Sequence, residues 1–157
     1  MQRIAKFEKI SKEQWEEDTI NASYNNIKIP QRATKGSAGY DFCLPFDIRL
    51  IPGESIKIPT GIRVHINTNW VLKIYPRSSL GFKYRMQIDN STGIIDSDYY
   101  YSSNEGHIWV KISNRGDKTL ILKEGDAFVQ GIFSEYGITD DDNVEDIRDG
   151  GIGSTNK

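Results

Sequence analysis

The sequence holds one cysteine, Cys43, two histidines, His65 and His107, and no apolar run near the roughly 18–20 residues of a membrane-spanning helix. A single cysteine excludes an internal disulfide and a cysteine metal centre. Flanked by Phe42 and Leu44, Cys43 reads as a small buried hydrophobe. The two histidines are far apart and make no zinc site with it. His65 alternates with apolar neighbours and is expected at the surface or an interface; His107 is expected to be incidental. A formal net charge of only −2 argues against nucleic acid as a partner, since proteins that wrap its backbone are basic. No signal-peptide pattern precedes the first charges. These absences predict a cytoplasmic protein (in a host cell's cytoplasm if virally encoded) with neither membrane nor nucleic acid as partner.

What is present suits one folded domain: 157 residues, 37% hydrophobic and 27% charged. The helix signal is at the start, where Ser11 and Gln14 form a capping-box pattern ahead of Lys12 to Asp18. From Ile27 the pattern is β. Ile62, Val64 and Ile66 alternate with Arg63 and His65, Trp70, Leu72 and Ile74 with Val71, Lys73 and Tyr75, and Ile108, Val110 and Ile112 with Trp109, Lys111 and Ser113. Turn signals at Pro52-Gly53, Asn104-Glu105-Gly106, Arg115-Gly116-Asp117 and Glu124-Gly125-Asp126 separate them. Many short, punctuated strands predict a sandwich, barrel or jelly roll. Residues 1–25 read as an added helix and linker, 26–135 as the β domain, and 136–157 as an acidic, then glycine-rich, mobile arm.

Five short motifs stand in order along the β domain and arm: Ala38-Gly39-Tyr40-Asp41-Phe42, Pro76-Arg77-Ser78-Ser79-Leu80-Gly81, Gly93-Ile94-Ile95-Asp96-Ser97-Asp98-Tyr99, Gly125-Asp126-Ala127-Phe128-Val129-Gln130 and Arg148-Asp149-Gly150-Gly151-Ile152-Gly153-Ser154-Thr155. Each alone has a bland explanation. The Asp96 segment fits a strand running into a polar turn, Arg77 an incidental surface cation, and the last motif a disordered tail. Their order and spacing together resemble the trimeric dUTP diphosphatases (dUTPases), over roughly Asn26 to Thr155. The resemblance implies an all-β, distorted jelly-roll or β-barrel fold of the β-clip type, with the short N-terminal helix and C-terminal arm added.

It also implies hydrolysis of dUTP to dUMP and pyrophosphate. Asp96 matches the carboxylate that orients and deprotonates the attacking water, and an aspartate side chain is ionised at neutral pH. Arg77, Ser78, Ser79 and Gln130 match phosphate-binding positions, with Ser79 standing where most members have glycine. Asn90, with Gly93, Ile94 and Ile95, matches the segment that reads uracil, and Tyr99 the aromatic that packs on deoxyribose. The chain is about four residues longer between Tyr99 and Gly106 than the usual pattern; re-registering after it puts Trp109 at a pocket-lining position. Arg148, Gly151, Ile152, Ser154 and Thr155 match the closing motif, with Ile152 replacing the usual phenylalanine and the spacing from Arg148 one residue short. Asp41 and Asp98 match aspartates expected to serve as structural hydrogen-bonding groups. Mg²⁺ is expected on substrate phosphates and water, with no direct protein ligand. The implied assembly is a homotrimer with sites between subunits.

Two other readings stay open on the residues. A dCTP deaminase shares the fold and several motifs, but its general-base glutamate falls here at Lys111 and its Asp-Pro at Asp96-Ser97. A regulatory dUTP-binding protein with weak catalysis is compatible with the altered arm and added N-terminus.

Overall fold

A computed structural model of the protein describes residues 1–19 and 22–148. Among them are twelve strands and two short helices. In chain order they are β1 (Ala5–Lys9), α1 (Lys12–Asp18), β2 (Gln31–Arg32), β3 (Tyr40–Cys43), β4 (Ile48–Leu50), β5 (Ser55–Pro59), β6 (Ile62–Ile66), β7 (Trp70–Pro76), α2 (Ser78–Tyr84), β8 (Met86–Ile88), β9 (Gly93–Ile95), β10 (Trp109–Asn114), β11 (Leu120–Leu122) and β12 (Ala127–Glu135). A single-turn 3-10 segment, Ser97–Tyr101, follows β9. The strands form sheets β2-β3-β12-β7-β9, β5-β10-β8, β1-β6 and β4-β11, none of them closed into a barrel among the described residues. No helix among them is long and apolar enough to cross a membrane.

The three alternating runs become β6, β7 and β10. Their apolar members Ile62, Val64, Leu72, Ile74, Val110 and Ile112 are buried in one continuous core with Phe42, Ile58, Leu120 and Phe128. Each aliphatic side chain so buried stabilises the fold by about 1.5–3 kcal/mol before chain entropy is counted.

The first 25 residues hold more than a helix and linker. β1 pairs antiparallel with β6, Phe7 opposite Val64. α1 buries Trp15, whose indole N–H donates to the Ala22 carbonyl at 3.0 Å. The capping box is half made within the helix: Ser11 Oγ accepts from the Gln14 N–H at 3.1 Å. The other half comes from Glu105, whose carboxylate accepts both the Ser11 N–H (2.8 Å) and its hydroxyl (2.5 Å). Gln14 instead donates to Asp18 at 3.0 Å.

α2 has no signal in the sequence. It follows Arg77, carries Gly81 mid-length and ends on Arg85 in the left-handed region (φ 52°). Glycine in a helix interior costs about 1 kcal/mol against alanine, so the context must hold it: Leu80 is buried and the Arg77 N–H donates to Phe128.

Candidate active site

The geometry divides the expected site residues into two groups. The first lines an open cleft of about 510 Å³ formed by Gly39, Asp41, Arg77, Ser78, Ser79 and Gln130, with Ala33, Ser37, Ala38 and Ile132. β3 and β12 place Asp41 directly opposite Gln130, and β7 places Tyr75 opposite Gln130 on its other side. Arg77 follows the end of β7, its Nε 3.6 Å from Asp41. Asp41 thus aims the guanidinium without consuming all its donors. Gln130 Nε2 donates to the Pro76 carbonyl at 3.3 Å. A side chain on Gly39 would run into the Gln130 amide, so the glycine is what lets that amide lie along the strand. Ser78 and Ser79 are exposed on the first turn of α2. The cleft therefore offers a guanidinium, two hydroxyls and an amide to an anion.

The second group lines a narrow pocket: Asn90, Gly93, Ile94, Ile95 and Trp109, with Ile74, Ile88 and Val110. β8 and β9 do not pair as a hairpin. β8 pairs with β10 and β9 with β7, in different sheets, so the turn Asp89–Thr92 spans a wedge and the pocket opens inside it. Ser91, at φ 67°, makes the turn tight enough for Asn90 to stand at its lip. The walls are aliphatic apart from the Asn90 amide and Trp109, a composition suited to a flat heterocycle read by one polar edge. Lys57 Nζ lies 4.7 Å above the Trp109 ring.

Within the five-stranded sheet, the cleft's Asp41 and Gln130 and the pocket's Ile74, Gly93 and Ile95 lie on opposite faces. Residues directly opposite in a ladder share a face and successive residues alternate. Gln130, Asp41 and Tyr75 therefore point one way, while Gly131, Ile74 and Gly93, paired in the next register position, point the other.

Asp96 follows β9, one residue beyond the pocket wall, with its side chain half exposed. It does not continue the strand. The chain turns into the 3-10 segment, and Asp96 and Asp98 come together through Arg148, whose Nη2 lies 2.8 Å from Asp96 and Nε 2.8 Å from Asp98. Arg148 is the one residue of the closing motif that is described; Gly151, Ile152, Ser154 and Thr155 lie outside the described residues. Tyr99 is buried, 3% exposed, and its hydroxyl donates to the His107 carbonyl at 2.5 Å while accepting from Asn104 at 2.9 Å. Burial pushes its phenol above the ordinary value. Gly106 (φ 71°) closes this loop, its Cα so near Tyr99 and Tyr100 that a side chain would meet backbone at 2.7 Å.

His107 is not incidental. It is fully buried, Nδ1 2.6 Å from Asp18 and Nε2 accepting the Gly61 N–H at 2.9 Å. His65 is exposed, edge-on to Tyr100 at 5.3 Å.

A family model described as dUTPase matches residues 25–156. The chain belongs to the dUTPase family. The chain is 39% identical over 141 residues to the deoxyuridine 5′-triphosphate nucleotidohydrolase of Lactococcus lactis, covering 87% of this chain and 94% of that one. It is 36% identical over 141 residues to the protein of that name from Tolumonas auensis, covering 85% and 90%. Among solved structures, Streptococcus mutans dUTPase superposes with a TM-score of 0.69 at 33% identity, over 85% of this chain and 98% of that one. The dUTPase of Staphylococcus aureus phage phi11 shares the fold, with a TM-score of 0.68 at 21% identity.

Proposed function

We propose that the chain hydrolyses dUTP to dUMP and pyrophosphate, Asp96 orienting and deprotonating the water that attacks the α-phosphorus. The observation that carries this is the place of Asp96, half exposed directly after the strand that walls the Asn90–Trp109 pocket. The uracil edge is read by Asn90 in the wedge, and its plane is flanked by Trp109 and the aliphatic walls. Arg77, Ser78, Ser79 and Gln130 take phosphate oxygens. Arg148 pairs with two carboxylates here, and triphosphate oxygens match the same guanidinium fork. Tyr99 supports the sugar end from beneath, its hydroxyl already committed to His107. In the arm, Gly151, Ile152, Ser154 and Thr155 close over the nucleotide.

Among the described residues no group of three or more His, Cys, Asp or Glu side chains could hold a metal ion. Mg²⁺ would be carried on the substrate's phosphates and water. Bound there, Mg²⁺ neutralises phosphate charge. The active species is a homotrimer: with cleft and pocket on opposite faces of one sheet, a second copy brings the two kinds of surface to one nucleotide. The deaminase reading loses support, because Lys111 stands exposed and paired with Asp89 at 3.3 Å. The reaction takes place in the cytoplasm.

The test is pyrophosphate release from dUTP, dCTP, dTTP and UTP, with Mg²⁺ and with chelator. Release from dUTP alone supports the reading; ammonia release from dCTP overturns it. Light scattering is expected to give three times the 17.9 kDa chain mass. An active species of one chain's mass overturns the trimer.

A further inference from the structure

The family match begins at residue 25, yet the residues before it are bolted to the base-and-sugar end of the site. Four contacts make the bolt. Asp18, the last residue of α1, lies 2.6 Å from His107 Nδ1. Ser11 gives both its hydrogens to Glu105. Glu8 of β1 accepts the Tyr100 hydroxyl at 2.7 Å. The Trp15 ring stands 6.0 Å from the His107 ring. All three partners lie in one stretch, from Tyr99 to Trp109, that contains the extra residues.

His107 is the centre of that stretch, and every polar atom it has is engaged. Nε2 accepts from the Gly61 N–H, so that nitrogen carries no proton and Nδ1 must donate to the Asp18 carboxylate. The His107 N–H donates to Asn104 at 3.2 Å. Its carbonyl accepts the Tyr99 hydroxyl. Its ring stands 5.2 Å from that of Trp109, which lines the pocket. Turning the imidazole would orphan the Gly61 N–H and free the loop holding Tyr99 and Trp109. Such a turn is prevented from one side by Asp18.

We propose that Asp18 is a positioning residue for the base-and-sugar end of the site, fixing the tautomer and orientation of His107 so that Tyr99 and Trp109 are held in place. The N-terminal segment is then part of the substrate-recognition apparatus and not an appendage. The proposal rests on the hydrolase reading for its kinetic consequence, though not for its structural one. The charged groups facing His107 are Asp18 on α1 and Glu105 in the loop.

Two substitutions in the full chain test it. Asp18→Ala removes the acceptor; Asp18→Asn keeps an oxygen that can accept from Nδ1. Asp18→Ala is expected to raise KM for dUTP about tenfold and to erode the preference for dUTP over UTP, within the roughly 10²-fold that a 1 Å misplacement from a remote change can cost. Inhibition by pyrophosphate, read by the cleft on the other face, is expected to stay at the wild-type constant. Asp18→Asn is expected to restore KM to within about twofold. An unchanged KM and preference in folded Asp18→Ala overturns the proposal. So does equal weakening of pyrophosphate, which marks a global defect, and so does failure of asparagine to rescue. Amide hydrogen exchange provides a readout free of activity: residues 97–107 are expected to lose protection in Asp18→Ala and keep it in Asp18→Asn. Should the wild type hydrolyse no dUTP, the functional reading falls while the exchange result still decides whether Asp18 holds His107. Uniform protection in all three proteins overturns the proposal by itself.

Discussion

The phosphate-type cleft and the base-type pocket solve opposite problems. The cleft is open and polar, and its donors are left short of partners: Arg77 has a single carboxylate at 3.6 Å, and Ser78 and Ser79 face solvent. The pocket is narrow and mostly aliphatic, and the residues behind it are tied together by hydrogen bonds, from Tyr99 through His107 to Asp18. An anion rewards donors that are free to turn toward it. A flat base rewards walls that cannot move. One surface is left unsatisfied and the other is over-determined.

The largest effect is expected where the two meet. Asp96→Asn should cut dUTP hydrolysis by about 10²–10⁴-fold, the range general-base removal commands, while leaving nucleotide binding near wild type. Steady-state rates within about threefold of wild type would remove Asp96 from that role. Arg77→Ala should lower kcat/KM by about 10²-fold without altering the ranking of pyrimidine triphosphates. A changed ranking would mean that cleft and pocket are not separable. Gly39→Ala should be milder, about tenfold, because the added methyl displaces the Gln130 amide from the same cleft. Pyrophosphate inhibition in that variant reads the displacement directly.

The bolted side has a pH signature. Burial holds His107 below its ordinary value, against the pull of Asp18 and Glu105. As pH falls below about 6.5 the unfolded chain takes up a proton that the folded chain refuses, so stability present above that pH is lost progressively below it. Urea midpoints are expected to fall between about pH 7 and pH 5.5, and His107→Gln is expected to flatten the slope. An equal slope in both proteins would place the titration elsewhere. The smallest effect belongs to Lys111→Ala. An exposed pair with Asp89 is worth at most about 1 kcal/mol, and hydrolysis should not change.

β6, β7 and β10 were legible because half-buried strands print their period in the sequence, one apolar residue in two. The cleft was legible because arginine, serine and glutamine advertise what they bind. β1 was not: Ala5-Lys6-Phe7-Glu8-Lys9 is too charged to read as a strand and becomes one by lying along β6. α2 hid behind Gly81. The His107 brace was invisible for a different reason, since its partner stands 89 residues away and neither residue type is unusual at its own position. Only the Ser11–Gln14 cap hinted at it, and the reciprocal acceptor proved to be Glu105.

The sheet order has a consequence for how the chain is made. β12, Ala127–Glu135, lies between β3 and β7, although it is the last of the described strands to leave the ribosome. Until it arrives, β3 and β7 have facing edges and no strand between them, and the ladder carrying both site surfaces cannot close. Exposed edges of that kind invite pairing with other chains. Between the completion of β9 and the arrival of β12 the nascent protein therefore carries two open half-sheets, and a ribosome stalled in that interval releases a product prone to aggregate. Closure of the sheet that carries Asp41, Gln130 and Gly93 is set by β12.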